Sequence, residues 1–483
     1  MTEPPPSPPL GRHFGLPQAV AMNVAQIVGA GVFVTIPLML AVLPGPYALL
    51  GWLAAGLLIL LDGLVWAELG AALPGSGGSY RYLLACYGPD TWGRLFAFLF
   101  IWQFLLSGPL EIASGLIAME QFAQALSPAW QKFNADWTWT TSFGLGGGQA
   151  VGITVSPGRF LAVGVGVGIL VLLYRNLRDL SRFMVVCGVA VLLLLGWVLV
   201  VGFWHFDASR AFDFAGTEAV TPGSFATGLA VAMILAVYSY LGYYNVCYIG
   251  DEVRDPGRTL PRAVLLSALI VVVLFSLTHL AFLGVVPWAE VPKDNLPAEF
   301  MLRVHGPWAV VAVTLCLIAS CFASAFSGLL GYSRIPYGAA SAGHFFGPLA
   351  AVHPTRAFPH RSLLLVGIPV LFWTFFDLGT VISAMVTTRI LEQFAAQVIG
   401  VMVLRKLRPD LPRPFRIWLY PLPCGLALAG WLYLYCFSDV VYIVLGLATL
   451  FAGVAAFLVW SRARGEWPFG AKSTSPEPER RDS

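Results

Sequence analysis

The sequence predicts an all-α membrane protein with twelve transmembrane helices. Three observations carry that reading. The 483 residues are 58% hydrophobic and only 11% charged, where a soluble domain carries about 25% charged residues. Apolar stretches recur at about 18–25 residues, enough to cross about 30 Å of hydrocarbon at about 1.5 Å per residue. Two of these stretches are interrupted at mid-length by glycine, which costs a helix about 1 kcal/mol per residue relative to alanine. A transmembrane barrel would show short alternating strands instead.

In chain order, residues 1–16 are proline-rich and polar and read as a tail, not as a secretory signal. Spans are expected near 17–42, 46–72, 94–126, 158–175, 183–204, 224–250, 262–286, 307–337, 362–377, 379–404, 417–437 and 439–461. A second tail covers 462–483, and its end, GAKSTSPEPERRDS, reads as disordered. Lysine and arginine concentrate in one set of loops, including Arg175, Arg178 and Arg182, then Arg254, Arg258 and Arg262, then Arg405 to Arg416. That set is expected to be cytoplasmic, which puts both termini inside. The net charge of +3 is then a topology signal, and no nucleic-acid patch is read into it.

The first interruption is NVAQIVGAGVFVTIP, residues 23–37, where Gly29-Ala30-Gly31 weakens the helix at membrane depth. An unpaired backbone group there costs several kcal/mol, so a break needs a use. An inverted repeat would place its counterpart near the sixth span. That span reads VYSYLGYYNVCYIGDEVRDPGRTLPRAV, residues 237–264, with Gly242 among aromatic residues. The spacing is that of a five-plus-five inverted repeat. Spans 1–5 (17–204) form one half, spans 6–10 (224–404) the other, and 417–461 adds two helices.

Four segments carry a resemblance: GAGVF in the first span, AELGAALPGSGGSYRYL after the second, DEVRDPGRTLPRAV after the sixth and RPDLPRPFRIWLYPLP before the eleventh. In this order they resemble the amino acid–polyamine–organocation (APC) superfamily, nearest to bacterial amino acid permeases and L-type amino acid transporters. The resemblance runs from about residue 15 to residue 440. It implies a leucine-transporter-like fold with broken helices 1 and 6.

A helix break bares amides on one side and carbonyls on the other. Amides at a half-helix N-terminus suit an anion, and carbonyls suit an ammonium group. An α-amino acid presents both charges one carbon apart. By resemblance, the amides of Gly29, Ala30 and Gly31 would hold the carboxylate. Carbonyls near Ile27 and Val28, with those of Tyr238 and Ser239, would hold the amine. Tyr238 would be an aromatic gate, with Tyr240 and Gly242 in the same stretch. The competing account of the glycines is close helix packing.

Charges within spans are costly and each needs a partner or a function. Glu68 is expected to be structural, bonding loop amides. Arg389 and Glu392, three apart on one helix, are expected to pair with each other. His279 reads as a packing histidine. Glu111, beside Pro109 in the third span, has three roles open: binding a cationic side chain, carrying a proton, or bonding a neighbouring helix. Relatives that use a lysine in the fifth helix are not matched, because Cys187 or Gly188 stands near that position. A sodium site would draw on Ser320 and Ser324, with Ser327, of the eighth span. Proton, sodium and uncoupled exchange stay open as coupling modes.

The seven cysteines show no CxxC or metal spacing, and no nucleotide-binding, hydrolase or metalloprotease motif is present. Neither cofactor nor metal nor enzymatic activity is expected. The reading is an inner-membrane, multi-pass amino acid permease working by alternating access, with the bilayer and a small amino acid as its partners. A polyamine or other organic-cation transporter of the same fold is the alternative. A non-transporting membrane sensor is the remote one.

Overall fold

A computed structural model describes residues 14–75, 77–143, 151–175, 180–292, 295–354 and 358–469. Most of both expected tails lies outside the described residues. The elements in order are α1 (Leu16–Ile27), α2 (Gly31–Val42), α3 (Ala48–Ala72), α4 (Ser79–Tyr87), α5 (Gly93–Gln124), α6 (Pro128–Asp136), β1 (Trp139–Phe143) and β2 (Val151–Val155). Next come α7 (Pro157–Arg175), α8 (Leu180–Trp204), α9 (Ala208–Ala211), α10 (Pro222–Tyr240), α11 (Pro256–Val285), α12 (Leu296–Val304) and α13 (Pro307–Tyr332). The chain closes with α14 (Arg334–Ser341), α15 (His360–Trp373), α16 (Leu378–Arg389), α17 (Ala396–Leu407), α18 (Leu422–Cys436) and α19 (Val440–Ala463).

Among the described residues, eight helices are long and apolar enough to cross a membrane, and α1 with α2 makes a ninth span bent by 50°. Two shorter apolar helices are α15 and α18. Several helices start at a proline, as α7, α10, α11 and α13 do, because the first helical N–H has no partner to lose. Thr221 and Ser224 cap α10 reciprocally: Ser224 N–H donates to Thr221 Oγ1 at 3.2 Å, and Thr221 N–H to Ser224 Oγ at 2.9 Å. Apolar side chains stay exposed along outer helices, for example Val186, Leu193 and Val200 on α8. Their spacing of seven puts them on one stripe, suited to lipid.

The interior is lined by large buried side chains, including Trp52, Trp66, Trp431, Tyr82, Tyr240 and Tyr243. Helix α3 packs on α10, α11 and α18, and α5 packs on α13, α15, α16 and α19.

Three features depart from a simple row of helices. The sixth span is helical only to Tyr240. Its continuation is a turn at 241–244 followed by short 3₁₀ stretches, Asn245–Tyr248 and Gly250–Glu252. The segment expected as the tenth span consists of α16 and α17 joined through a π-turn, Ile390–Ala395. An antiparallel ribbon pairs β1 with β2, with Trp139 opposite Val155. Its β-branched and aromatic residues fit a pleated, half-buried surface. It docks through Thr154 N–H on the Phe375 carbonyl at 2.7 Å.

The described ends fold back on the bundle. Phe14 N–H donates to the Glu252 carbonyl at 3.1 Å and Arg254 N–H to the Phe14 carbonyl at 2.9 Å. Near the other end Arg94 donates to Glu466 and to the Phe469 carbonyl. The Arg94 hydrogen bond holds the Glu466 carboxyl below its usual range.

Candidate functional site

The first break occupies Val28, Gly29 and Ala30 between α1 and α2. Among the described residues the amides of Gly29, Ala30 and Gly31 donate to no backbone carbonyl, and the carbonyls of Ile27 and Val28 accept no backbone N–H. No side chain caps α2. The bare N-terminus of α2 meets the C-terminal end of α10. A Cβ on Gly31 would lie 3.4 Å from Ser239 Oγ and 3.6 Å from Ser239 Cα, and one on Gly29 would meet no heavy atom within 4 Å. Thr35 and Ser239 share a hydroxyl hydrogen bond of 3.0 Å. The Tyr238 carbonyl accepts from Leu241 N–H at 3.3 Å, whereas the Ser239 carbonyl accepts no backbone N–H. Amide donors of one broken span thus lie beside carbonyl acceptors of the other, the polarity an α-amino acid needs.

The second break turns on Gly242, whose φ of +113° is left-handed backbone that side chains other than glycine's rarely adopt. A Cβ there would also crowd Ile27 Cγ1 at 3.1 Å and Gln26 Cγ at 3.3 Å. Asn23, one turn before the first break, clasps the unwound segment. Its Nδ2 donates to the Tyr243 carbonyl at 2.6 Å and to Ser267 Oγ at 3.1 Å, and its Oδ1 accepts from Val246 N–H at 2.9 Å. Sequence reasoning missed this residue, although a buried amide in an apolar span was a signal for it.

Next to the breaks lies a cavity of about 590 Å³. Glu111 and Phe104 of α5, Gly242, Tyr244 and Asn245 of the sixth span, Tyr332 of α13 and Arg389 of α16 line it. It continues past Gly77 and Tyr80 after α3 and past Arg334, toward the arginine-rich loops. Glu111 is doubly held: Arg389 Nη2 lies 2.7 Å from Oε2, and Tyr332 Oη donates to Oε1 at 2.6 Å. The Arg389 guanidinium also lies over the Phe104 ring, 5.8 Å from its centroid. One turn beyond Glu111, Ser114 Oγ donates to the Glu111 carbonyl at 2.6 Å and is hydrogen-bonded to Tyr238 Oη at 2.8 Å. Tyr238 therefore bridges α10 to α5.

Other expected positions fall elsewhere. Arg389 does not pair with Glu392; its partner is Glu111. The π-turn that starts at Ile390 replaces i→i+4 by i→i+5 bonding, so the three-residue spacing no longer presents one face. Glu392 Oε2 is buried without a hydrogen-bond partner. Tyr240 points away from both breaks: its hydroxyl donates to the Trp52 carbonyl at 3.1 Å and its ring stacks on Phe275. Ser320 is buried, but Ser324 is exposed and Ser327 Oγ bonds back to the Ala323 carbonyl at 2.7 Å, as serines in helices do. His279 Nδ1 accepts from Trp52 Nε1 at 2.9 Å. Glu68 accepts from Ile417 N–H at 2.8 Å and pairs with Arg405 and Arg413.

The chain matches the family model described as "Amino acid permease" over residues 14–463. It is 25% identical over 467 residues to a branched-chain amino acid permease of Bacillus subtilis (strain 168), covering 94% of each chain. It is 26% identical over 471 residues to the human cystine/glutamate transporter, covering 94% of this chain and 86% of the relative. It is 24% identical over 426 residues to a methylthioribose transporter of Bacillus subtilis (strain 168), covering 85% of each.

Proposed function

The chain belongs to the amino acid permease family, so it is a transporter and not an enzyme, and on that premise we propose that it carries neutral α-amino acids across the inner membrane by alternating access. The observation that carries this reading is the bare α2 N-terminus at Gly29–Gly31 set against the C-terminal end of α10 at Ser239. The substrate carboxylate rests on the amides of Gly29, Ala30 and Gly31. Its ammonium group rests on carbonyls of Ile27, Val28, Tyr238 and Ser239. Its side chain extends toward Gly242 and the cavity.

The state of Glu111 favours neutral substrates over polyamines. Its two oxygens are occupied by Arg389 and Tyr332, so the cavity offers a neutralised pair and no free anion for a second ammonium group. With α15, α18 and the π-linked pair of α16 and α17 added to the nine spans, the membrane is crossed twelve times. The halves 17–204 and 224–404 are the inverted repeats, and 417–461 lies outside them. The arginine-rich loops and both termini face the cytoplasm. The cavity then opens inward, with Tyr238 and Ser114 closing the outer side.

The test is competition for uptake into proteoliposomes. Neutral amino acids should compete, whereas analogues lacking either the carboxylate or the amine should not. Polyamines or simple amines that compete as well as amino acids would overturn the reading.

A further inference from the structure

We propose that Asp62 binds a proton that is carried with the amino acid, making the transporter a proton symporter whose proton site is the joint between α3 and the unwound sixth span. The proposal rests on the amino acid transport reading above and adds the coupling ion and its site.

Asp62 lies within α3 at 1% exposure. Its oxygens have one partner each. Tyr243 Oη donates to Oδ2, and Trp431 Nε1 of α18 donates to Oδ1 at 3.1 Å. Both donors are neutral, and no ion pair among the described residues includes Asp62. The other carboxyls tied across the bundle are treated differently. Glu68 has two guanidinium partners and Glu111 has one. A carboxylate at membrane depth without a cation is expensive to keep charged, and a proton is the smallest cation that relieves the cost. The titratable side chains around it are Tyr243 and Tyr244 from the sixth span and Cys424 from α18, with Trp66 facing it from α3. None of these is a base that competes for the proton.

The position of the carboxyl links protonation to movement. Tyr243 follows Gly242, the pivot of the second break, and its carbonyl is held by Asn23 of α1. As a carboxylate, Asp62 accepts a charge-assisted bond from Tyr243. Once a proton sits on Oδ2, that oxygen must donate, so the Tyr243 hydroxyl turns to accept and the joint becomes a weaker neutral bond. Both broken spans are therefore gripped harder when the proton is absent. Tyr244 lines the cavity and packs edge-on against Tyr243, which puts the cavity one side chain from the joint. One proton enters with the substrate and the same proton leaves with it, so each cycle moves one positive charge with a neutral amino acid.

The experiment uses the full chain in proteoliposomes with an imposed pH gradient. Asp62→Asn should keep amino acid exchange and lose pH-driven accumulation, falling to the level of protein-free vesicles, while Glu392→Gln, at another buried carboxyl with no ion pair within 4.0 Å among the described residues, should keep both. Accumulation retained in Asp62→Asn, or lost only in Glu392→Gln, overturns the proposal. If Asp62→Asn does not fold, infrared titration of the purified wild-type protein decides. A buried carboxyl band that titrates and shifts in Tyr243→Phe supports the site, and its absence overturns it. Should wild-type protein move no amino acid at all, the transport reading fails by itself, and the infrared titration still decides Asp62.

Discussion

At the scale of single residues, the two glycines of the first break are not equivalent. A side chain at Gly31 runs into Ser239, so a bulky substitution there disturbs packing and the site together. Gly29 has room for a Cβ and separates the two effects. Gly29→Val is expected to fold with a stability change within about 0.5 kcal/mol and to lose substrate binding. Thermal unfolding and ligand binding on one preparation check this, and wild-type affinity would remove the carboxylate site. The Glu111–Arg389 pair invites a double-mutant cycle. Removing one partner of a buried pair costs about 3–5 kcal/mol, and Glu111 is about a quarter exposed, so Glu111→Gln belongs at or below the lower end. Arg389→Gln should cost a similar amount. The double variant should lose clearly less than the sum of the two, because no unpaired charge remains. Additive losses in thermal stability would mean that the pair does not interact.

At the scale of elements, what was legible follows from what residue types announce. Glycine marks the breaks, apolar length marks the spans, and lysine and arginine mark the loops. Pairing between distant helices leaves no such mark, so Glu111 and Arg389 stood out one by one as costly residues while their contact did not. The π-turn at Ile390–Ala395 has no residue signature, and it sends Arg389 toward α5 and away from Glu392. The unwinding after Tyr240 was foreshadowed by Gly242, but its length was set by bonds from Asn23 that only the fold supplies. Asn23→Ala leaves Val246 N–H and the Tyr243 carbonyl without that partner, at about 1–3 kcal/mol for each group. Hydrogen exchange should rise selectively over residues 243–248. A rise spread evenly over the bundle would show that the clasp is not local.

At the scale of the whole molecule, the proposed orientation makes access asymmetric. The cavity is lined by Gly77, Tyr80 and Arg334 near the arginine-rich loops, while Tyr238 and Ser114, which close the outer side in the proposed orientation, are not among its lining residues. Gly331 lines the cavity, and a Cβ there meets nothing within 4 Å. A Gly331→Cys protein should therefore react with a membrane-impermeant thiol reagent from the cytoplasmic side and not from the outside. Excess amino acid should slow the reaction. Equal labelling from both sides would contradict the orientation.

The short bridge between Phe14 and Val253 has a mechanical consequence. It joins the lead-in of the first span to the segment that follows the sixth, as two rungs of a strand ladder. The two broken spans bend separately, at Gly29–Gly31 and at Gly242, yet at this end they are yoked. Under the proposed alternating access, a swing of one should drag the other, and the pair should travel as a single lever against the α5 and α13 side of the bundle. A disulfide between Phe14→Cys and Val253→Cys is accordingly expected to leave the transport rate unchanged, since it fastens two parts that never separate. A rate that falls on oxidation and returns on reduction would mean that the yoke opens in every cycle.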